Sequence, residues 1–586
     1  GSAPDSRGGV ILITLRRRRD GGMDGSLQFS TMQSNRIAGY TPSGRIGIRT
    51  GRWTLTASGS GSFTPVAESR FTETREQAGQ RLPFAGRSDS KSCTNYGRGH
   101  FSAVFDPTPK HTAGFDIEYT ERSTHMPTLS RTTLGQTQSD SRYRQHMGGN
   151  TLTATANYIW KIDTLGSQFK LIADYTRYTS HGDNSYHTTT SAPGTLRDSL
   201  YESSTGSVYD ILTADAGLTR KLPHGLTLRA GLRYTRNGMA DKSHYAAQTQ
   251  GTWLALPEYS YDQHYTEQIG AAYASLEYSA GRWELSAGLR GEYTSVASQT
   301  LDRSYFGLFP NVSVSRALNA LRTWLLVAQW SRNIERPAFP ALNPARIRIS
   351  DYSWQSGNPS LRPTYIHRFS LTAVWKYRYT LTVGGNLHHD LIREIAHRDE
   401  TDPDAVYIRP ENHYTENHWF VAASVPAKIT RWWNLSVNAV GVMQRIRLNS
   451  TDSPATHYLM FADATCSFTL PAGFFAEAAY RAQSRLYSGN SEVGPRHTLS
   501  ATVKKQLFDK RLTLFCTLSN ITGCDWEFAS LTDGMRRTID TRQAWSGRLW
   551  KVGAAWNFRT GKKFRARTVE SAAETQRKRL VKSTEQ

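Results

Sequence analysis

Cysteine is scarce in this 586-residue chain: Cys93, Cys466, Cys516 and Cys524 are too few and too scattered for a disulfide framework or a zinc site. Long apolar runs are missing too. No segment approaches the roughly 18 consecutive apolar residues of a membrane-spanning helix, and hydrophobic residues make up only 38% of the chain, with a mean hydropathy of -0.54. Acidic residues are in deficit, with 49 Asp and Glu against 71 Lys and Arg, a net charge of +22. In a soluble protein that excess would suggest nucleic-acid binding. Here the basic residues are spread along the whole chain, and no helix-turn-helix, zinc-finger or RNA-recognition pattern accompanies them. An anionic lipid leaflet or an anionic solute suits the charge equally well.

Catalytic signatures are absent as well, so no enzymatic activity, catalytic residue or cofactor is expected. Gly8, Gly9, Gly21, Gly22 and Gly25 lack the spacing of a phosphate loop. His388 and His389 are adjacent, and His413 and His418 are five apart. On extended strands the members of each pair point to opposite faces, so no metal site is expected.

Aromatic residues are present in quantity. They make up 11% of the chain, including 15 Trp and 28 Tyr, which excludes a disordered polar chain. Alternation is the dominant local pattern. Leu226, Leu228, Ala230, Leu232 and Tyr234 alternate with Thr227, Arg229, Gly231, Arg233 and Thr235, and Trp283, Leu285, Ala287, Leu289 and Tyr293 repeat the pattern. Period two means one apolar and one wet face. Such runs reach roughly ten residues or more, the length a tilted strand needs to cross a bilayer and longer than the usual sandwich strand. Cys466 and Cys516 fall on apolar faces, as small hydrophobes.

Connections alternate between short and long. Ten short turns are read, at Thr50 to Arg52, Asp106 to His111, Lys161 to Ser167, Lys221 to Gly225, Ser279 to Arg282, Arg316 to Arg322, Lys376 to Arg378, Lys428 to Arg431, Pro471 to Gly473 and Phe508 to Lys510. Between them fall long connections such as Ser62 to Asn95, Thr124 to Gly149 and Ser180 to Ser207. Ten turns and eleven loops predict an all-β, 22-stranded antiparallel transmembrane barrel over residues 23–558, the size of the plugged outer-membrane transporters. Short turns belong on the periplasmic side and long loops outside. Trp53, Trp283, Trp324, Trp375, Trp432 and Trp433 lie near short turns, where an aromatic girdle is expected.

Three stretches do not fit the wall. Residues 1–22 contain the continuous apolar run Val10 to Ile13, which needs another body to pack against. Residues 559–586 are basic and aperiodic, and are expected to form a disordered or weakly helical periplasmic tail. Ser331 to Pro363 holds Pro337, Pro340, Pro344, Pro359 and Pro363, which forbid a regular ladder, so it is expected to be the seventh external loop. Asn343, Arg346, Arg348, Tyr352, Trp354 and Asn358 mix aromatic, amide and guanidinium groups suited to lining a vestibule and contacting a solute.

The same stretch carries a resemblance to the outer-membrane β-barrel family common in Bacteroidetes, a relative of the TonB-dependent receptors. Arg336 and Pro337 in NIERP, then Asn343 and Pro344, then Gly357, Asn358, Pro359 and Pro363 in GNPSLRP resemble the family's motif. NYIWKIDTLGSQFKLIADYTRY, YTEQIGAAYASLEYSAGRWELSAGLRGEYT and HTLSATVKKQLFDKRLTLFCTLSNI resemble it too, so the likeness covers essentially the whole chain. The resemblance implies that GGVILITLRR is the end of a plug domain, and that the rest of the plug and the TonB-contacting segment are missing from a chain that opens at Gly1. It implies an integral outer-membrane receptor importing an unidentified solute: a chelated metal, a glycan or a peptide. The implied partners are outer-membrane lipid and lipopolysaccharide, the TonB complex through the missing part, the solute, and a surface lipoprotein, with no nucleic acid. The alternative is an outer-membrane scaffold or surface interaction protein that moves nothing. A passive porin would have no use for a plug terminus.

Overall fold

A computed structural model describes residues 21–299, 301–344, 346–400, 402–561 and 568–580. Of residues 1–22, expected to be the end of the plug and its linker, 1–20 lie outside the described residues, and Gly22 already opens the first strand. A single closed antiparallel wall of 22 strands runs from Gly22–Gln33 to Leu549–Gly561, and these two strands pair in register from Gly22 against Gly561 to Gln33 against Trp550. Closure removes the edges that an open sheet would expose. Among the described residues no helix is long and apolar enough to cross a membrane.

The period-two pattern explains the wall. In Leu226–Thr249, Leu228, Leu232 and Tyr234 are exposed on the outer face, whereas Thr227, Thr235 and Asn237 are buried on the inner one. Trp283, Leu285, Leu289 and Tyr293 likewise face outward from Trp283–Ser298. Leu514 and Met460 do so beside Cys516 and Cys466, and all four cysteines are free thiols. Exposed apolar side chains of this density are stable only against lipid. Trp53, Trp283, Trp324, Trp375 and Trp432 are exposed at the short-turn end, and Trp324 stacks on Trp375 with ring centroids 5.6 Å apart. That is the expected girdle.

All ten short turns are found. At the other end the structure departs from expectation. Ser62 to Asn95, Thr124 to Gly149 and Ser180 to Ser207 are paired strand almost throughout. Trp53–Gln77 and Gln80–Phe105 meet at Ala78-Gly79, His111–Leu134 and Thr137–Lys161 at Gly135-Gln136, and Gln168–Ala192 and Thr195–Lys221 at Pro193-Gly194. Ala78 and Gly79 both have positive φ, 50° and 77°, the geometry that matches hairpin twist. These strands outrun the membrane because Thr, Tyr and Ser sustain cross-strand ladders in water without an apolar face.

The irregular stretch begins at Arg336, where strand Trp324–Glu335 ends, and returns to the wall at strand Thr364–Trp375. It folds inward. One helical turn, Phe339–Leu342, is followed by a small hairpin, Ile347–Ser350 with Ser353–Gln355, whose second strand pairs in parallel with residues 406–408. Phe339, Leu342 and Leu361, each at most 2% exposed, pack on Tyr209, Ile211, Met239, Tyr265 and Val296 of the inner wall. A barrel of this width has no core of its own, and this lid supplies one at its mouth.

Residues 568–580 lie against the inner wall of the barrel and carry one helical turn, Glu574–Arg577. Ala572 and Ala573 are buried, and Gln576 and Arg579 are less than 7% exposed. Exposed Glu574 and Lys578 face away and pair at 3.2 Å. The spacing of the buried set is helical, too short a pattern to stand out in a basic stretch.

Candidate functional site

The lid is framed by the motif residues. Arg336 is buried, with Nη2 donating to Glu292 Oε2 at 2.7 Å and to Thr294 Oγ1 at 3.0 Å. Asn358 ties three segments together: its N–H donates to the Ala341 carbonyl (2.7 Å), its Nδ2 to the Pro410 carbonyl (3.1 Å), and its Oδ1 accepts the Ser360 N–H (3.0 Å). Gly357 is required by contact. A Cβ there would stand 2.1 Å from the Asn343 carbonyl oxygen and 2.7 Å from that of Ala341.

Three of the six residues expected to line a vestibule, Arg346, Arg348 and Trp354, come together in one cluster. Arg346 lies 5.4 Å over the Tyr259 ring and 5.1 Å over Trp354, and its Nη2 donates to Asp399 at 2.6 Å. Trp354 stacks on Tyr259 at 6.3 Å with the planes 10° apart. Arg348 sits 5.5–5.9 Å from the rings of Tyr143, Tyr186, Tyr201 and Trp354. Tyr352 lies edge-on to Phe84 at 5.9 Å. Asn343 and Asn358 belong to the frame rather than the cluster.

Asp351, at the hairpin tip, is the latch. Its carboxylate accepts from Ser141 Oγ (2.7 Å), Tyr143 Oη (2.8 Å) and Arg348 Nη2 (2.6 Å). Sequence reasoning missed Asp351 and the tyrosines. Tyr143, Tyr186 and Tyr245 sit in ordinary alternating strands 100 residues and more upstream, and only the closure of the wall brings them under the lid. Burial, with the Asp351 charge beside it, pushes the Tyr143 phenol well above its usual range, so it is a donor at any physiological pH.

A second anchor fastens the lid to strand Trp53–Gln77. Arg75 donates to the Tyr352 carbonyl at 3.5 Å, Arg537 Nη2 to Ser353 Oγ at 3.0 Å, and both guanidiniums grip Glu73 at 2.8 Å. Burial alone would raise the Glu73 carboxyl, but Arg537 and Arg75 outweigh it and hold it below the usual range.

The histidines need a correction. His413 and His418 do not diverge: both reach Glu416, His413 Nδ1 at 3.5 Å and His418 Nε2 at 2.8 Å, with Arg393 Nη2 at 2.9 Å. The ladder is interrupted where Asp390 takes φ 56° opposite Tyr414, whose N–H bonds the Leu448 carbonyl instead, and this break in the pleat turns His413 inward. His388 and His389 do separate, His388 toward His418 and His389 toward Tyr414. Among the described residues no group of three or more His, Cys, Asp and Glu is placed to hold a metal ion.

With wall and lid in view, the chain can be compared with known proteins. No curated protein matches it. Among solved structures, the siderophore receptor PirA from Pseudomonas aeruginosa superposes with a TM-score of 0.56 at 12% identity, covering 93% of this chain and 82% of that one. A mutant form of the ferric enterobactin receptor PfeA from the same organism gives 0.58 at 13% identity, covering 92% and 80%. The copper transporter OprC gives 0.58 at 11% identity, covering 93% and 82%. At such identities the likeness is one of fold. The model of the outer membrane protein beta-barrel family matches residues 160–556, more than half of the chain, and the protein belongs to that family.

Proposed function

We propose that this protein is the barrel of an outer-membrane receptor that captures a scarce solute at the mouth closed by residues 336–363 and passes it inward when the lid and an upstream plug move. The observation that carries this reading is the cluster of Arg346, Arg348, Tyr259 and Trp354 with the latch of Asp351 on Ser141 and Tyr143. Cation–π pairs and a latch of three hydrogen bonds close the mouth with groups that a solute can also use. A planar or anionic solute offers π faces and oxygens that replace Tyr259 and Asp351 as partners of the two guanidiniums. Chelated metals of the kinds named for the fold neighbours fit that chemistry best, ahead of neutral glycans or peptides. On this reading the ribbon end is extracellular, the short turns are periplasmic, and energy comes from a TonB contact.

The test is uptake by cells carrying the whole gene, with ferric catecholate, copper and oligosaccharide offered in turn. Replacing Tyr352 and Trp354 by Ala should reduce uptake of the matching solute at least about tenfold, the effect of losing one or two well-packed aromatic contacts, without reducing barrel yield. Undiminished uptake would reduce the lid to a structural role. A whole protein that binds a surface partner and takes up none of the solutes would favour the scaffold reading.

A further inference from the structure

A groove of 1230 Å³ crosses the outer face of the wall, away from lid and lumen. One rank of paired residues runs through it on six neighbouring strands: Ala173 stands beside Ala214, Ala214 beside Tyr234, Tyr234 beside Gly270, Gly270 beside Tyr293, and Tyr293 beside Phe306. Residues opposite each other on paired strands share a face. Tyr234, Tyr293 and Phe306 are 42, 55 and 64% exposed, so this rank faces outward, into the band that meets lipid. Ala173, Ala214 and Gly270 offer only a methyl or a hydrogen between the larger Leu171, Leu232 and Phe306, and so leave the hollow. Within a bilayer such a hollow is filled by acyl chains, because water would gain nothing from its apolar lining. Six strands about 4.8 Å apart span roughly 24 Å of wall. That width takes several chains side by side, more than the two of a phospholipid.

Polar groups begin directly above the groove, on the ribbon side. In the next rank Leu212 stands between Tyr175 and Arg236, and the rank beyond pairs Arg177 with Asp210. Counted from the short-turn end, Arg177 and Arg236 are the first charged residues at outward positions of Gln168–Ala192 and Leu226–Thr249, which puts them at the headgroup level. The Tyr175 hydroxyl donates to Asp210 at 2.6 Å and that of Tyr234 to Gln268 at 3.0 Å, as phenols do at a membrane interface. Arg236 is exposed and carries no ion pair among the described residues. Arg177 meets Asp210 only at 3.7 Å with both side chains about half exposed, a weak pair that a phosphate can replace.

We propose that this groove binds a phosphorylated glycolipid carrying several acyl chains, with the chains along Ala173, Ala214 and Ala272 and a phosphate on Arg177 and Arg236. Width selects the number of chains, and the two guanidiniums select the charge. This goes beyond the transport reading. It shares with that reading the placing of the ribbon end at the outer leaflet, but binding in detergent is read without any orientation, so a failure here leaves that placing to protease cleavage of intact cells.

The purified full chain, delipidated in detergent, is titrated with diphosphoryl lipid A and followed by native mass spectrometry. Lipid A should stay bound to the wild type, with phosphatidylglycerol and phosphatidylethanolamine weaker by about tenfold or more. Arg177→Gln together with Arg236→Gln should weaken lipid A about tenfold or more, the weight of hydrogen bonds to a charged group. Ala214→Trp with Ala272→Trp, which fills the hollow, should weaken it without touching a charge. Arg445→Gln and Val421→Trp, at exposed positions on strands away from the groove, should change nothing. The folding of each variant is checked by its mobility on unheated gels. Phosphatidylglycerol bound as well as lipid A, equal binding by the wild type and either groove variant, or an equal loss in Arg445→Gln would each overturn the proposal and leave only annular lipid.

Discussion

Single residues decide how the lid is held. Gly357→Ala places a Cβ 2.1 Å from the Asn343 oxygen, a contact no side-chain rotation relieves because both partners are backbone. The variant should lose about 1–3 kcal/mol, as other overpacked sites do, seen as a lower urea midpoint in detergent. Asp241 carries a pH dependence. It is fully buried and accepts from the Tyr209 hydroxyl at 3.2 Å. Burial pushes its pKa up to about 6 from an ordinary 3.8. The folded protein therefore holds this proton more tightly than the unfolded chain. Its contribution is most favourable below about pH 4, falls as pH rises from 4 to 6, and costs about 3 kcal/mol above that window. Unfolding midpoints at pH 5 and pH 8 should differ more in the wild type than in Asp241→Asn, and the variant should be the more stable at pH 8. Equal pH slopes would contradict this.

Among elements, the hairpin Ile347–Ser350 with Ser353–Gln355 is held at its tip by Asp351 and beside it by the bond from Arg537 to Ser353 Oγ. Asp351→Ala leaves the half-buried Arg348 without its carboxylate and takes from Ser141 and Tyr143 their shared acceptor. Breaking one partner of a buried charge pair costs about 3–5 kcal/mol. Amide exchange across residues 348–355 should accelerate by at least about a hundredfold, while the wall strands stay protected. Proline spacing made this stretch recognisable as irregular, and its motif glycine and asparagine as special. That it turns into the lumen was not legible. Nothing local distinguishes Phe339, Leu342 and Leu361 packing inward from the same residues covering a loop outside, because their partners Tyr209, Ile211 and Tyr265 lie on strands distant in sequence.

For the whole molecule, the placement of charge and turns makes a topological prediction. Lys376 and Arg378, Lys428 and Arg431, and Lys510 and Arg511 fall at short turns. In intact cells trypsin should leave them uncut until the outer membrane is permeabilised, whereas a broad-specificity protease should nick the ribbon tips near Ala78-Gly79 and Pro193-Gly194. Cutting at the short turns first would invert the orientation.

The barrel itself was determined by sequence alone. A period of two, strands long enough to cross a bilayer and ten punctual turns are local properties, and an even strand number with a lipid-facing stripe follows from counting them. Only the tertiary structure decided what fills the mouth and the lumen. The latch of Asp351 on Ser141 and Tyr143 and the seat of Arg579 on Glu267 join residues far apart in the chain, whereas His413 and His418 meet on Glu416 within one strand where its pleat breaks. Pairing a charge or stacking a ring across a lumen depends on the radius and stagger at which the wall closes, and no local pattern encodes either.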